Sequence, residues 1–585
     1  MFNKLKRNDQ KGFLKGHFQR RLNYSSWLLI ELLIALLIFT VVGVLFAKYA
    51  LGGPNSSDIT LYANTSMFNI KNSFILNRYT HVFLQKLFLA LAKNPVQGLQ
   101  NYWGFLMGAT SFLIYVSARL VKPQANFLNA SLAVIIFFSI PVLNVISGIV
   151  YVDTTAMFVS TLFLTIYIIL LRQKQKANWL LVILGFTFFL AFKTKETLLP
   201  WGILFLGFGE NDDHRFSMRT LFSNLKWLVA GIFMGILLFV VLNGLLLKDP
   251  WFGIRIEDIS GYIQSYASGV VAPLETTNNP GWYRGYWFND LLVSMLFFII
   301  SGVLIRNQKS FAHKLVWTMP LILILFILFS INIRFGLSTR FVLPIFPVLS
   351  IVGSHFFEFD LPKTRRGILQ FGIVFIAGIA LIIGIQLLFR WLIPSTGNSL
   401  DDFITLIFYP LLLTLFLASI FIIHQKSSGV IASLLLALAL LSQPAMTNFR
   451  QMFQNKPNHH AFLSVVEPFA IFEEEISFSE EMTFYVVNNV FKGKIPIMKN
   501  IDEVLSMFNI YFDVHSVREN FIYVEGENVN YSEILVSNPS LALLTMGDWR
   551  SIQNTSNLSE SIEEKYRVIV GPDNKYVLLK SYSNQ

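Results

Sequence analysis

Residues Trp27 to Leu51 read WLLIELLIALLIFTVVGVLFAKYAL, and this run decides the fold. A cleaved signal sequence has an apolar stretch of only roughly 7–15 residues, whereas about 20 suffice to cross the hydrocarbon core of a bilayer. The segment is therefore expected to remain in the membrane as an anchor helix. Ahead of it stand Lys4, Lys6, Arg7, Lys11, Lys15, Arg20 and Arg21. A basic flank of this kind is retained in the cytoplasm, which places residues 1–26 inside as a basic tail.

Working outward from that run, apolar stretches of spanning length recur. They are read at 27–51, 102–121, 126–148, 150–171, 178–192, 196–209, 227–247, 290–305, 315–332, 340–356, 367–389, 403–423 and 428–445, about thirteen crossings in all. Stretches 178–192 and 196–209 are short and carry Pro200 near their junction, so they read as half-helices or a tilted pair. If the crossings alternate, the cytoplasmic loops hold Arg119 with Lys122, Arg172 with Lys174 and Lys176, and Arg215 with Arg219 and Lys226. The later ones hold Arg306, Lys309 and Lys314, then Lys363, Arg365 and Arg366. Every one of these short loops is basic, and an odd number of crossings puts the chain after about Gln443 outside.

Composition agrees. Of 585 residues 54% are hydrophobic and 14% charged, and the mean hydropathy is +0.55, outside the range of ordinary soluble domains. The 57 Phe are spread through the apolar runs rather than gathered on a basic platform, which argues against nucleic acid as a partner. The net charge of +11 is mostly accounted for by the cytoplasmic loops. Cysteine is absent, which excludes disulfides, thiolate metal sites and a thiol nucleophile.

The expected architecture is an α-helical polytopic membrane domain over 27–445, followed by an extracytoplasmic α/β domain over 446–585. Two external loops are long, about 52–101 and about 248–289, and long external loops are where function gathers. The first contains Thr80–Ala92, THVFLQKLFLALA, an amphipathic pattern that reads as a helix lying on the membrane surface. The second contains the aromatic stretch Gly281-Trp282-Tyr283-Arg284-Gly285-Tyr286-Trp287. In the polar tail, strands are read at Met482–Val487, Phe521–Glu525, Ile534–Ser537 and Leu541–Leu544, with a helix near Ile501–Phe512. Tyr566–Val570, Gly571-Pro572-Asp573-Asn574 and Tyr576–Lys580 read as a hairpin. No internal repeat is present.

Candidate chemistry lies on the external side. Asp58, in Asn55-Ser56-Ser57-Asp58-Ile59-Thr60-Leu61-Tyr62, follows the first span closely. There it is either a general base at the membrane surface or a loop carboxylate capping a helix. Asp153 begins the fourth span, and Lys193-Thr194-Lys195-Glu196 falls where two short segments meet. Charges near membrane depth each cost roughly 2.5–3.5 kcal/mol on insertion scales and are usually functional or paired. One reading is a phosphate site; the other has Lys193 and Lys195 reaching to the interface while Glu196 pairs with one of them. Arg78 and His81, and Arg334 and Arg340, add cations on the same side.

These residues resemble the GT-C superfamily of membrane glycosyltransferases, in particular the protein O-mannosyltransferase and aminoarabinose-transferase branch known as glycosyltransferase family 39. The likeness rests on Asp58, Arg78-Tyr79-Thr80-His81, Asp153, Lys193-Thr194-Lys195-Glu196 and Arg340-Phe341-Val342-Leu343-Pro344, in that order, with a tail domain in the matching place. It implies transfer of a sugar from a polyprenyl-phosphate donor to an extracytoplasmic hydroxyl on a glycan, lipid or protein, at the plasma membrane. Asp58 would be the base, with Lys195, Arg340, Lys193, Arg78 and His81 at the lipid phosphate and Asp153 and Glu196 either positioning substrate or orienting those cations. From composition, and not from the resemblance, Trp282, Tyr283 and Tyr286 of the 248–289 loop are expected to cover the sugar, and Tyr62 is expected to bind substrate. Relatives in which two adjacent acidic residues follow the first span differ here, since Ser57 and Ile59 flank Asp58, so no obligatory divalent cation is expected. The rival readings are a transporter or flippase of a lipid-linked saccharide, and an oligosaccharide ligase or polymerase.

Overall fold

The structure is a computed structural model, and it describes residues 29–48, 65–66, 78–93, 95–121, 127–138, 152–173, 177–210, 215–260, 305, 310–330, 343–356, 471–472, 483–487, 521–524, 530–572 and 574–582. The expected span at 290–305, Ile305 apart, those at 367–389, 403–423 and 428–445 and the helix near 501–512 lie outside the described residues, as do Asp58, Tyr62, Trp282, Tyr283, Tyr286, Arg334 and Arg340.

The described membrane part is helical: α1 (Leu29–Lys48), α2 (Tyr79–Leu91), α3 (Pro95–Val121), α4 (Phe127–Phe138), α5 (Val152–Arg172), α6 (Asn178–Phe192), a 3₁₀ helix (Glu196–Gly209), α7 (Met218–Leu247), α8 (Phe311–Ser330) and α9 (Phe346–Phe356). Among the described residues four helices are long and apolar enough to cross a bilayer: Leu29–Lys48, Gln97–Val121, Val152–Arg172 and Met218–Leu247. One continuous core joins α3, α4, α5, α6, the 3₁₀ helix, α8 and α9 around Trp103, Phe137, Phe163, Tyr167, Trp201 and Trp317. By contrast, α1 and α7 turn rows of Leu, Val and Phe outward, as lipid-facing helices do.

The two short stretches resolve differently from each other. Asn178–Phe192 is an ordinary α-helix, but Glu196–Gly209 winds as a 3₁₀ helix of 14 residues with Pro200 inside it. At about 2.0 Å per residue such a helix reaches roughly 28 Å, where an α-helix of that length reaches only about 21 Å. The stretched winding lets a short sequence run most of a bilayer's depth.

Two polar layers fix the relative directions of the helices. At one end, Arg119 Nε donates to Glu31 Oε2 at 3.0 Å and Arg172 Nη2 donates to the Val121 carbonyl at 3.2 Å. At the same end of α5's neighbours, Glu210 Oε2 accepts from the Ser310 hydroxyl at 2.9 Å and from the Ala312 N–H at 2.8 Å, capping α8. The other end holds the charges described below.

In the tail, β1 (Phe484–Val487), β2 (Phe521–Val524), β3 (Leu541–Thr545), β4 (Tyr566–Val570) and β5 (Tyr576–Ser581) form a sheet of order β2-β1-β3-β5-β4. Strand β1 pairs in parallel with β2 and β3, and β5 is antiparallel to β3 and β4, so the expected hairpin is present. Helices α10 (Ser532–Ser537), α11 (Met546–Gln553) and α12 (Ser556–Lys565) complete it. The expected strand at Ile534–Ser537 is instead helix α10. Parallel β2 and β3 need a crossover, which a helix usually supplies. Only Ile534 of that run is buried, and Asn538 closes it in the left-handed conformation at φ 42°.

Candidate functional site

Five helix ends meet at the second polar layer: the starts of α2, α5 and the 3₁₀ helix, and the ends of α6 and α7. The last carbonyls of α6 lack intrahelical donors. Thr80, in the first turn of α2, supplies two, its hydroxyl to the Leu190 carbonyl at 2.8 Å and its N–H to the Lys193 carbonyl at 3.3 Å. The N-terminus of one helix dipole thus abuts the C-terminus of another. Helix α2 matches the amphipathic segment expected at Thr80–Ala92, but it does not simply rest on a membrane surface. Tyr79, Thr80, His81, Val82 and Gln85 are buried in protein, while Leu87 and Leu91 are exposed.

This junction brings together Arg78, His81, Asp153, Lys193, Lys195 and Glu196. Lys195 forms an ion pair with Asp153, each side chain 2% exposed. Asp153 sits in the first turn of α5, where its charge complements the helix dipole, and Lys195 lies between the end of α6 and the start of the 3₁₀ helix. Arg78 reaches Glu196 at 3.8 Å. Neither lysine pairs with Glu196, contrary to the interfacial alternative. Lys193 does not face lipid: it is 8% exposed, its ammonium donates to the Gly253 carbonyl at 3.4 Å and lies 4.9 Å from the centre of the Phe239 ring.

Three cations, Arg78, Lys193 and Lys195, meet three carboxylates: Asp153 and Glu196 are engaged by Lys195 and Arg78, and Asp258 accepts from the Gly253 N–H beside Lys193. Among the described residues no carboxylate lies within ion-pair distance of Lys193, and burial pushes its pKa down to about 8. His81 is fully buried; burial pushes its imidazole down to about 3, with Asp153 opposing and Arg78 reinforcing that shift. Burial, and then the charge of Asp258, raise the Tyr79 phenol.

Both long loops are tied to this end by their described parts. Ser66, which follows Asp58 in the first loop, donates to Gln85 Oε1 at 2.8 Å, and its carbonyl accepts from Lys86 Nζ at 3.0 Å. At the root of the second loop, Asn243 Nδ2 donates to the Phe252 carbonyl at 2.7 Å and the Gly253 N–H donates to Asp258 Oδ2 at 2.8 Å. Sequence reasoning missed Tyr102 and Thr155, which hold the His81 ring. Tyr102 near the start of a span reads as an interfacial anchor, and its partners stand 21 and 53 residues away.

The bundle, its α/β tail and the order of their elements are similar in fold to a solved structure. The particular match is the crystal structure of ArnT from Cupriavidus metallidurans bound to undecaprenyl phosphate, with TM-score 0.50 and 14% identity over 95% of this chain and 98% of that one. The apo-state crystal structure of the same ArnT aligns at TM-score 0.49 and 12% identity, over 95% and 98% of the two chains. No known protein family and no curated protein matches the sequence.

Proposed function

We propose that the protein is a plasma-membrane glycosyltransferase that moves a sugar from a polyprenyl-phosphate donor to an extracytoplasmic hydroxyl. The observation that carries this reading is the junction of Arg78, Lys193 and Lys195 at one end of a bundle whose fold is that of ArnT, a protein solved with undecaprenyl phosphate bound. Among the described residues no carboxylate lies within ion-pair distance of Lys193, so an anionic lipid phosphate reaching the junction meets that charge at low dielectric.

The chemistry follows as a single inverting displacement. Asp58 takes the proton of the acceptor hydroxyl as its oxygen attacks the anomeric carbon. The bond from that carbon to the phosphate oxygen breaks, and the electron pair stays on the phosphate. Lys193, Lys195, Arg78, His81 and Arg340 stabilise the charge that develops there. Asp153 and Glu196 hold Lys195 and Arg78 in place, and Tyr62, Trp282, Tyr283 and Tyr286 cover the sugar. The mechanism requires no divalent cation, so a chelator leaves the rate unchanged.

The test is transfer by the purified protein in proteoliposomes carrying undecaprenyl-phosphate sugars, with product read by mass spectrometry. Asp58→Asn keeps the size and most hydrogen bonding of the side chain, so transfer should fall by about 10²–10⁴-fold while donor binding persists. A loop carboxylate that only caps a helix tolerates Asn, and near-normal turnover would remove Asp58 as the base. Movement of labelled lipid between leaflets with no new glycosidic bond would favour the flippase reading.

A further inference from the structure

His81 Nδ1, Thr155 Oγ1 and the Tyr102 hydroxyl form a closed triangle. Nδ1 lies 2.7 Å from Thr155 Oγ1 and 3.1 Å from the Tyr102 hydroxyl, and the two hydroxyl oxygens are 2.7 Å apart. All three side chains are buried, each on a different helix: His81 on α2, Tyr102 on α3 and Thr155 on α5. Two hydroxyl protons must be distributed among these contacts. If Nδ1 carried the ring proton and gave it to Thr155, the Thr155 proton would go to Tyr102. The phenol would then be left with the His81 carbonyl at 3.5 Å, a marginal acceptor. If instead Tyr102 donates to Thr155 and Thr155 donates to Nδ1, both protons are used at 2.7 Å. The second arrangement makes Nδ1 an acceptor.

We infer that Tyr102 and Thr155 are positioning residues that fix His81 as a neutral imidazole with its proton on Nε2, making it an uncharged hydrogen-bond donor to a ligand oxygen at the junction. Burial opposes protonation of the ring most strongly; the Asp153 charge favours it, and the Arg78 charge, the smallest of the three influences, opposes it. The other charged groups at the junction are Lys193, Lys195 and Glu196, from the end of α6 and the start of the 3₁₀ helix, and Asp258, which follows α7. A neutral donor adds recognition of an oxygen without adding to the positive charge already supplied by Arg78 and the lysines. The ligand role rests on the glycosyltransferase reading; the tautomer does not.

Two measurements keep these apart. The first is ¹⁵N NMR of the full-length protein labelled at its nine histidines, with His81 identified as the resonance lost in His81→Asn. A protonated Nε2 and unprotonated Nδ1 at neutral pH are expected, with the pattern disturbed in Thr155→Val and Tyr102→Phe and restored in Thr155→Ser. A charged ring, a proton on Nδ1, or an unchanged pattern in Thr155→Val would overturn the inference. The second is transfer from an undecaprenyl-phosphate sugar. Gln places its amide near Nε2 and Asn near Nδ1, so His81→Gln should stay within a few-fold of wild type while His81→Asn loses about tenfold or more in kcat/KM. Asn outperforming Gln would overturn the ligand role. The expected tautomer in a protein that transfers no sugar would leave the positioning assignment standing and remove the glycosyltransferase reading.

Discussion

Of the charged residues at the junction, Lys193 is the one whose surroundings read least well from sequence. A lysine next to Phe192 at the end of an apolar segment looks like a side chain reaching for the interface, because the turn that covers it comes from Gly253, 60 residues further on. Burial lowers its pKa from 10.5 to about 8. Between those values the unfolded chain still binds a proton that the folded protein has released, so stability rises with pH across that window. The gap corresponds to about 3 kcal/mol at full effect. Thermal unfolding in detergent from pH 7 to 10 should therefore show a rise in wild type that Lys193→Met lacks. Parallel curves for the two proteins would show that the ammonium is hydrated. Asp153 and Lys195, in contrast, were legible as functional or paired, since charges this close to membrane depth seldom stand alone. That they pair with each other across 42 residues was not.

Elements were read well where apolar length alone decides them and poorly where a neighbour decides. The span at 150–171 became Val152–Arg172, and the tail hairpin stands where its turn residues place it. The 3₁₀ winding of Glu196–Gly209 and the helix at Ser532–Ser537 depend on tertiary context, the first on the depth to be crossed and the second on a parallel crossover. Close approach of helices is a third feature that periodicity does not show. A Cβ on Gly231 would stand 1.9 Å from the Val182 carbonyl oxygen, and one on Gly185 2.0 Å from that of Leu228, so α6 and α7 touch backbone to backbone. Since α6 ends in Lys193 and α7 leads to Gly253, this contact sets the spacing at the junction. Gly231→Ala should cost about 1–3 kcal/mol through overpacking, seen as a lowered Tm in detergent. A surface-exposed control, Leu245→Ala, should not lower it comparably, because that side chain is 74% exposed. Equal effects from both would mean that the helix contact carries no special strain.

At the scale of the molecule, the polar layers put Arg172 and the junction at opposite ends of the bundle, and the basic loops are what would say which end is cytoplasmic. The loop charges depend on counting crossings through stretches outside the described residues, whereas the layers depend only on contacts. Asp153 begins α5 at the junction and Arg172 ends it beside Val121; α7 runs the opposite way, from Met218 to Leu247, and delivers Gly253 to the junction. If Arg119, Arg172 and Arg219 face the cytoplasm, the junction faces outward, where a lipid-linked donor would be used. Cysteine is absent from the chain, so single cysteines can report this without a background. The 30 residues of α7 extend about 45 Å, enough to put its two ends on opposite sides of a bilayer. A membrane-impermeant maleimide added to intact spheroplasts should label Ser260→Cys at once and Arg219→Cys only after lysis. A tag at Gln585 should be open to protease in the same spheroplasts. Labelling of Arg219→Cys before lysis, with Ser260→Cys protected, would turn the bundle over and place the junction on the cytoplasmic face, where neither the proposed donor site nor an external acceptor could be maintained.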